Sequence, residues 1–242
     1  MKKLLALLLA LVMVLSLAAC GKDEPVKDDN DKKTTSQSGD KDSGEEKDPV
    51  GSHGSEVENL MSHPESPEED FVCEDYGDGV WTLTQYLGDD EIVVIPETVN
   101  GKNVEAIGSH VFALSSPVKA VKLPDTVYKL MGSTFAANEN LEIVIFGSGM
   151  REIGAADGTF IGGTFHNCTN LREVVLNDGL ERIGPVAFAV CENLVSLEIP
   201  ASVTEIDHMA FYAQPESFTI VGEAGSYAEQ YAKENNITFQ AK

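Results

Sequence analysis

Basic residues are scarce in this chain: 17 Lys and Arg stand against 40 Asp and Glu in 242 residues, a formal net charge of −23. A surface so short of cations does not neutralise phosphates, which disfavours nucleic acid and anionic lipid faces as partners. Aromatic residues make up only 7%, with Trp81 the single tryptophan, thin material for the exposed aromatic platforms that carbohydrate sites display. Cysteine is also rare, and Cys20, Cys73, Cys168 and Cys191 have neither the paired spacing nor the neighbouring histidines of a zinc site. The histidines at 53, 63, 110, 166 and 208 share no repeat position and fall in no nucleophile or metal spacing. Gly158, Gly162 and Gly163 follow no strand and precede no Lys-Ser or Lys-Thr, so they make no phosphate loop. A hydrolytic site using Asp157 and His166 would need a nucleophile, a base and an orienting group in mutual reach, and no such set stands there. The expectation is a non-enzymatic protein with no catalytic residue, no cofactor and no metal.

What the chain does have is a period. Phe112 and Phe135 are 23 residues apart, as are Phe165, Phe188 and Phe211 in succession, while the step from Phe135 to Phe165 is 30. The aliphatic residues Ile107, Leu130, Ile153, Ile183 and Ile206 keep the same beat, except that their long step falls after Ile153. Seven extra residues are therefore inserted within Ala155 to Thr164 of the third copy. A second apolar segment recurs as Val118 to Leu123, Leu141 to Phe146, Leu171 to Leu176 and Leu194 to Ile199, rich in β-branched residues and mostly closed by Pro or Gly. That pattern predicts a short strand in each copy. A unit of this size cannot bury its own apolar face, so about five copies must stack into a solenoid with one continuous core.

Three stretches also carry a resemblance: Asn170 to Leu176 (Asn-Leu-Arg-Glu-Val-Val-Leu), Ile199 to Ile206 (Ile-Pro-Ala-Ser-Val-Thr-Glu-Ile) and Ile183 to Phe188 (Ile-Gly-Pro-Val-Ala-Phe). They resemble the BspA-type leucine-rich repeat of bacterial surface lipoproteins over residues 91 to 242. Departures are the insertion in the third copy, Met131-Gly132 at the Ile-Gly step and Asp207 where glycine is usual. The resemblance implies a β-rich leucine-rich-repeat solenoid of the α/β class that attaches to host or neighbouring-cell proteins through an extended repeat surface.

The ends add an address and two closures. Met1-Lys2-Lys3, an apolar run from Leu4 to Leu15 and Leu17-Ala18-Ala19-Cys20 read as a secretory signal over 1–19, and the last four residues resemble a lipobox with Cys20 as the lipid-attachment site. The chain is then expected outside the cytoplasm, held to the bacterial membrane through an N-terminal lipid and exposed at the surface. Between Gly21 and Asp70 stand sixteen Asp or Glu and six Lys with hardly an apolar residue, so 20–70 is expected as a disordered acidic tether. The repeat domain follows at 71–242. A β-hairpin around the turn Tyr76 to Gly79 caps it over 71–90, repeats fill 91–221, and a helix opened by Ser226 and Glu229 at capping-box spacing closes it over 222–242.

Function is expected on the outward residues of the longer strands. Ile143, Ile145, Arg172, Val175, Val195 and Glu198 form the candidate protein-binding face, an apolar patch rimmed by charge. The partner is a host or envelope protein, and the alternative is a glycan-binding or cell-envelope structural module. Cys168 and Cys191, also 23 apart, occupy one position in adjacent copies, either as a disulfide or as a column of small buried residues.

Overall fold

The computed structural model describes residues 54–114, 116–154 and 162–242. In chain order the elements are α1 (Gly54–Ser62), β1 (Phe71–Asp75), β2 (Trp81–Tyr86), β3 (Ile92–Val94), β4 (Thr98–Val99), β5 (Lys102–Asn103), β6 (Ala106–Ile107), β7 (Ala120–Lys122), β8 (Lys129–Leu130), β9 (Ile143–Ile145), β10 (Glu152–Ile153), β11 (Glu173–Val175), β12 (Arg182–Ile183), β13 (Ser196–Glu198), β14 (Glu205–Ile206), β15 (Thr219–Gly222), α2 (Tyr227–Glu234) and β16 (Thr238–Ala241).

Two sets of strands alternate along the chain; the short ones build a single sheet and the longer ones are divided between two. The two-residue strands β6, β8, β10, β12 and β14 pair in parallel behind the antiparallel hairpin β1–β2, in the order β1-β2-β6-β8-β10-β12-β14. The longer strands pair in parallel in the order β11-β9-β7-β3. Glu152 stands opposite both Lys129 and Arg182, so the insertion after Ile153 disturbs the register of neither neighbour. Its residues 155–161 lie outside the described residues.

Between the sheets runs one column of rings. Phe112, Phe135, Phe165 and Phe188 are fully buried, with successive ring centroids 5.2, 5.0 and 5.1 Å apart and planes within 12° of parallel. Phe211 continues it at 5.5 Å. Adjacent strands are about 4.8 Å apart, so one phenylalanine per copy stacks at close to the strand spacing and fills the core without a gap. Gly163 permits one close crossing: a Cβ there would come within 1.6 Å of the carbonyl oxygen of Val186 in the next copy.

The buried cysteines complete a ladder rather than a disulfide. Cys168 and Cys191 are free and inaccessible. The Cys168 thiol donates to the Phe135 carbonyl at 3.1 Å and the Cys191 thiol to the Phe165 carbonyl at 3.2 Å. Asn138 and Gln214 do the same for Phe112 and Phe188, at 3.0 and 2.5 Å. The residue three places after Phe135, Phe165, Phe188 and Phe211 thus donates to the previous phenylalanine's carbonyl, which lies outside the strand ladders. Cys73 is likewise buried and free in β1.

The structure corrects the sequence reading in three places. Within the expected tether, Gly54–Ser62 is a helix, and Ser66 exchanges bonds with the edge strand β3: its amide donates to the Val94 carbonyl at 2.9 Å and its hydroxyl accepts from the Val94 amide at 3.2 Å. Residues 20–53 of the tether and the signal segment lie outside the described residues. β13, expected to continue the sheet from β11, lies in contact with it but forms no ladder to it, and opens a separate sheet with β15 and β16. The outward residues Ala120, Ile143 and Ile145 are buried, because α1 lies over them. At the C-terminal end, α2 follows Ser226, whose hydroxyl accepts from the Glu229 amide at 3.3 Å while the Glu229 carboxylate accepts from the Gly225 amide at 2.6 Å.

Candidate functional site

The four-stranded sheet has an inner face, Val93, Val121, Val144 and Val174, in the main core, and an outer face that alternation turns the other way. Pairing sets the outer residues in two rows: Ile92, Ala120, Ile143 and Glu173, then Val94, Lys122, Ile145 and Val175. Most are apolar, so this sheet has two hydrophobic faces.

On the outer face sits α1. Leu60 is 2% exposed and joins Val94, Ala120, Ile143 and Ile145 in a cluster of its own, separate from the main core, with Val57, Ile92 and Val175 at its margin. Leu60 is the one fully buried residue of the nine in the helix, and Met61 remains half exposed. A cleft of about 180 Å³ is left beside the helix, lined by Glu56, Asn59, Glu91, Lys119, Glu142 and Arg172.

Charge holds one end of the helix. The Arg172 guanidinium lies 2.6 Å from the Glu56 carboxylate and 3.1 Å from that of Glu142. Partial burial acts to discharge Arg172, but hydrogen bonds to the two carboxylates outweigh it and raise its pKa above the ordinary value. Lys119 is drawn upward by its bond to Glu91, 2.9 Å away. Lys122 donates to the carbonyl of Met61 at 3.4 Å.

Of the six residues expected on a binding face, four come together: Ile143 and Ile145 beneath α1, Val175 at the cluster's margin and Arg172 at its rim. Val195 and Glu198 do not join them. They belong to the β13 side, where Val195 is about half exposed and Glu198 pairs with Lys242. Leu60, Val57 and Glu56 are the residues that sequence reasoning missed. Their signal was a spacing of three between Val57 and Leu60 with an acid just before, diluted by the acidic segment around it.

The single tryptophan is poorly placed for stacking on a sugar. Trp81 is half buried, its indole N–H donates to the Val99 carbonyl at 3.0 Å, and the Lys102 ammonium covers its ring at 4.1 Å. A second depression, of about 320 Å³, lies between α2 and the loop after Phe211, lined by His208, Tyr212, Gln214 and Asn235 among others. Among the described residues no group of three His, Cys, Asp or Glu could hold a metal, and no helix is long and apolar enough to cross a membrane.

The repeated strands and their ring column are those of a leucine-rich repeat, and the sequence matches the model of the BspA type leucine-rich repeat region, in six copies, over residues 93–217 and 157–238. The chain belongs to that family. Among solved structures it is similar to the T. pallidum leucine-rich repeat protein, with 27% identity over 65% of this chain and 71% of that one and a TM-score of 0.58. A leucine-rich cell surface protein from Faecalibacterium prausnitzii A2-165 shares 22% identity over 66% of this chain and 55% of that one, at a TM-score of 0.36. A leucine-rich repeat protein from Bacteroides capillosus ATCC 29799 shares 24% over 64% and 95%, at 0.38. No curated protein matches the chain.

Proposed function

We propose that this chain is a bacterial surface lipoprotein whose repeats form a closed-ended solenoid that binds a protein partner through the outer face of the β11-β9-β7-β3 sheet. The observation that carries the reading is that face itself: an apolar strip of Ile92, Val94, Ile143, Ile145 and Val175 on the side of the sheet turned away from the core, rimmed by Arg172, Glu142 and Lys119. A sheet that only had to close the main core would need one apolar face; the second, rimmed by charge and covered by the nine-residue α1, has the composition of a contact site. Family membership supports the scaffold, because repeats present a broad rigid surface whose outward residues vary without disturbing the core.

In this reading the hairpin β1–β2 closes one end of the stack, and α2 with β16 closes the other. Residues 1–19 are the signal, Cys20 carries the lipid, and the acidic segment before α1 is the spacer from the membrane.

Two measurements test it. Labelled palmitate supplied to the producing cells should enter the protein and be lost in Cys20→Ala; incorporation into that variant removes the anchor. Extracellular-matrix and envelope proteins retained by the mature chain should be lost by a folded Arg172→Glu, Val175→Asp variant; equal retention moves the contact off this face.

A further inference from the structure

We propose that the outer strand face is a groove for a short amphipathic helix, that α1 is its built-in occupant, and that a partner binds by displacing α1 with a helix of the same pattern. The inference rests on the strand-face reading above and adds the partner's chemistry and the segment that guards the site.

The groove recognises two features of α1. Leu60 fills the pocket between the two outer rows, among Val94, Ala120, Ile143 and Ile145. Four residues earlier, about one helical turn, Glu56 reaches Arg172. An acid followed four places later by leucine, with Val57 between them, is therefore the pattern the face reads. Recognition by anchors spaced along one side of a helix is a general mode of peptide binding.

Several observations make α1 a removable occupant rather than a fixed layer. A nine-residue helix is too short to be stable without its contact. One of its residues is fully buried, and the cleft beside it leaves the groove part-filled. Its cluster is separate from the main core, so its departure leaves the repeats intact. The Glu56 side of its pair with Arg172 is half exposed, which lets salt screen the contact. The chain is fixed immediately after the helix by the Ser66–Val94 bonds, so a released α1 stays near its groove at high local concentration and competes with any partner.

The test uses the full chain carrying Cys20→Ser and a synthetic peptide of residues 52–66, titrated by NMR to about 2 mM, the range set by tethered effective concentrations. Leu60→Asp should vacate the groove: this variant should bind the peptide saturably, at least about tenfold more tightly than the chain with its own α1 intact, while the repeats still unfold in one cooperative transition, at a melting temperature lowered only by the lost docking of α1. Glu56→Arg, which turns the Arg172 contact into repulsion, should open the groove in the same way. Arg172→Glu added to Leu60→Asp should weaken the peptide about tenfold, and a peptide carrying Glu56→Arg should restore it. No binding to either opened variant, equal binding to opened and intact chains, or indifference to the charge swap would overturn the proposal. If the peptide fails while a partner protein is still lost with the Arg172→Glu, Val175→Asp variant, the strand face stands as a binding surface and the helix is wrong; if that partner is retained as well, both fall.

Discussion

Two kinds of residue do work that composition hides. After each phenylalanine of the ring column the residue two places on has a left-handed backbone: Leu114, Ala137, Asn167, Val190 and Ala213, with φ between 55° and 60°. Only asparagine is at home there, and a β-branched valine is the poorest fit. Val190→Gly should raise stability by about 0.5–1 kcal/mol despite the added freedom of the unfolded chain, seen as a melting temperature higher by about 2 °C. An unchanged or lower value would mean that the Val190 side chain contributes more than its strain. Burial lifts the Cys168 thiol from 9.0 to about 12 and, with help from Glu68, Cys73 from 9.0 to about 11. Burial also moves Tyr231 from 10.0 to about 12. All three stay protonated in the fold at pH values where the unfolded chain ionises. Their stabilisation is complete below about pH 9 and is lost as pH climbs toward 12. The urea midpoint should therefore fall between pH 8 and pH 10.5, and a flat profile would contradict the burial of these groups.

At the scale of elements, the ends of helices and strands are set by local chemistry that a single sequence displays well. Ser226 and Glu229 close a reciprocal cap on α2, and Ser226→Ala should cost about 1 kcal/mol, read as faster amide exchange in 227–234 with the repeats unchanged. Exchange no faster than before would show that packing of Tyr231 and Ala232, not the cap, holds the helix. The hairpin β1–β2 was equally legible, from the turn signal at Tyr76 to Gly79 and the alternation after it. α1 was not, for a physical reason. Its helicity comes from a docking surface formed by residues 30 to 120 positions away, while its own neighbourhood is acidic and poor in apolar residues. The same blindness made Ile143 and Ile145 look exposed: alternation tells which side of a strand a residue faces, not what covers that side. The β13–β15 pairing keeps the 23-residue step, Ser196 opposite Thr219, whereas the missing ladder between β11 and β13 has no trace in that pattern.

At the scale of the whole molecule, periodicity carried the fold. One ring per copy, one aliphatic residue before it and one strand after it are enough to stack parallel ladders on a continuous column, and the insertion within Ala155 to Thr164 leaves the register on both sides intact. Because core and ladder are satisfied from within, outward residues are free to vary, and the proposed recognition uses the apolar row under α1. The most direct measurement asks whether that row is covered in solution. Cys73, Cys168 and Cys191 are buried, so in a Cys20→Ser chain an Ile143→Cys thiol is the reporter, and its labelling rate follows the opening of α1. Burying one leucine is worth about 1.5–3 kcal/mol, or roughly 10- to 100-fold in the opening equilibrium. Labelling should then be at least about tenfold faster when Leu60→Asp is added, with the native cysteines silent in both chains; equal rates would mean that the helix does not cover the strand face.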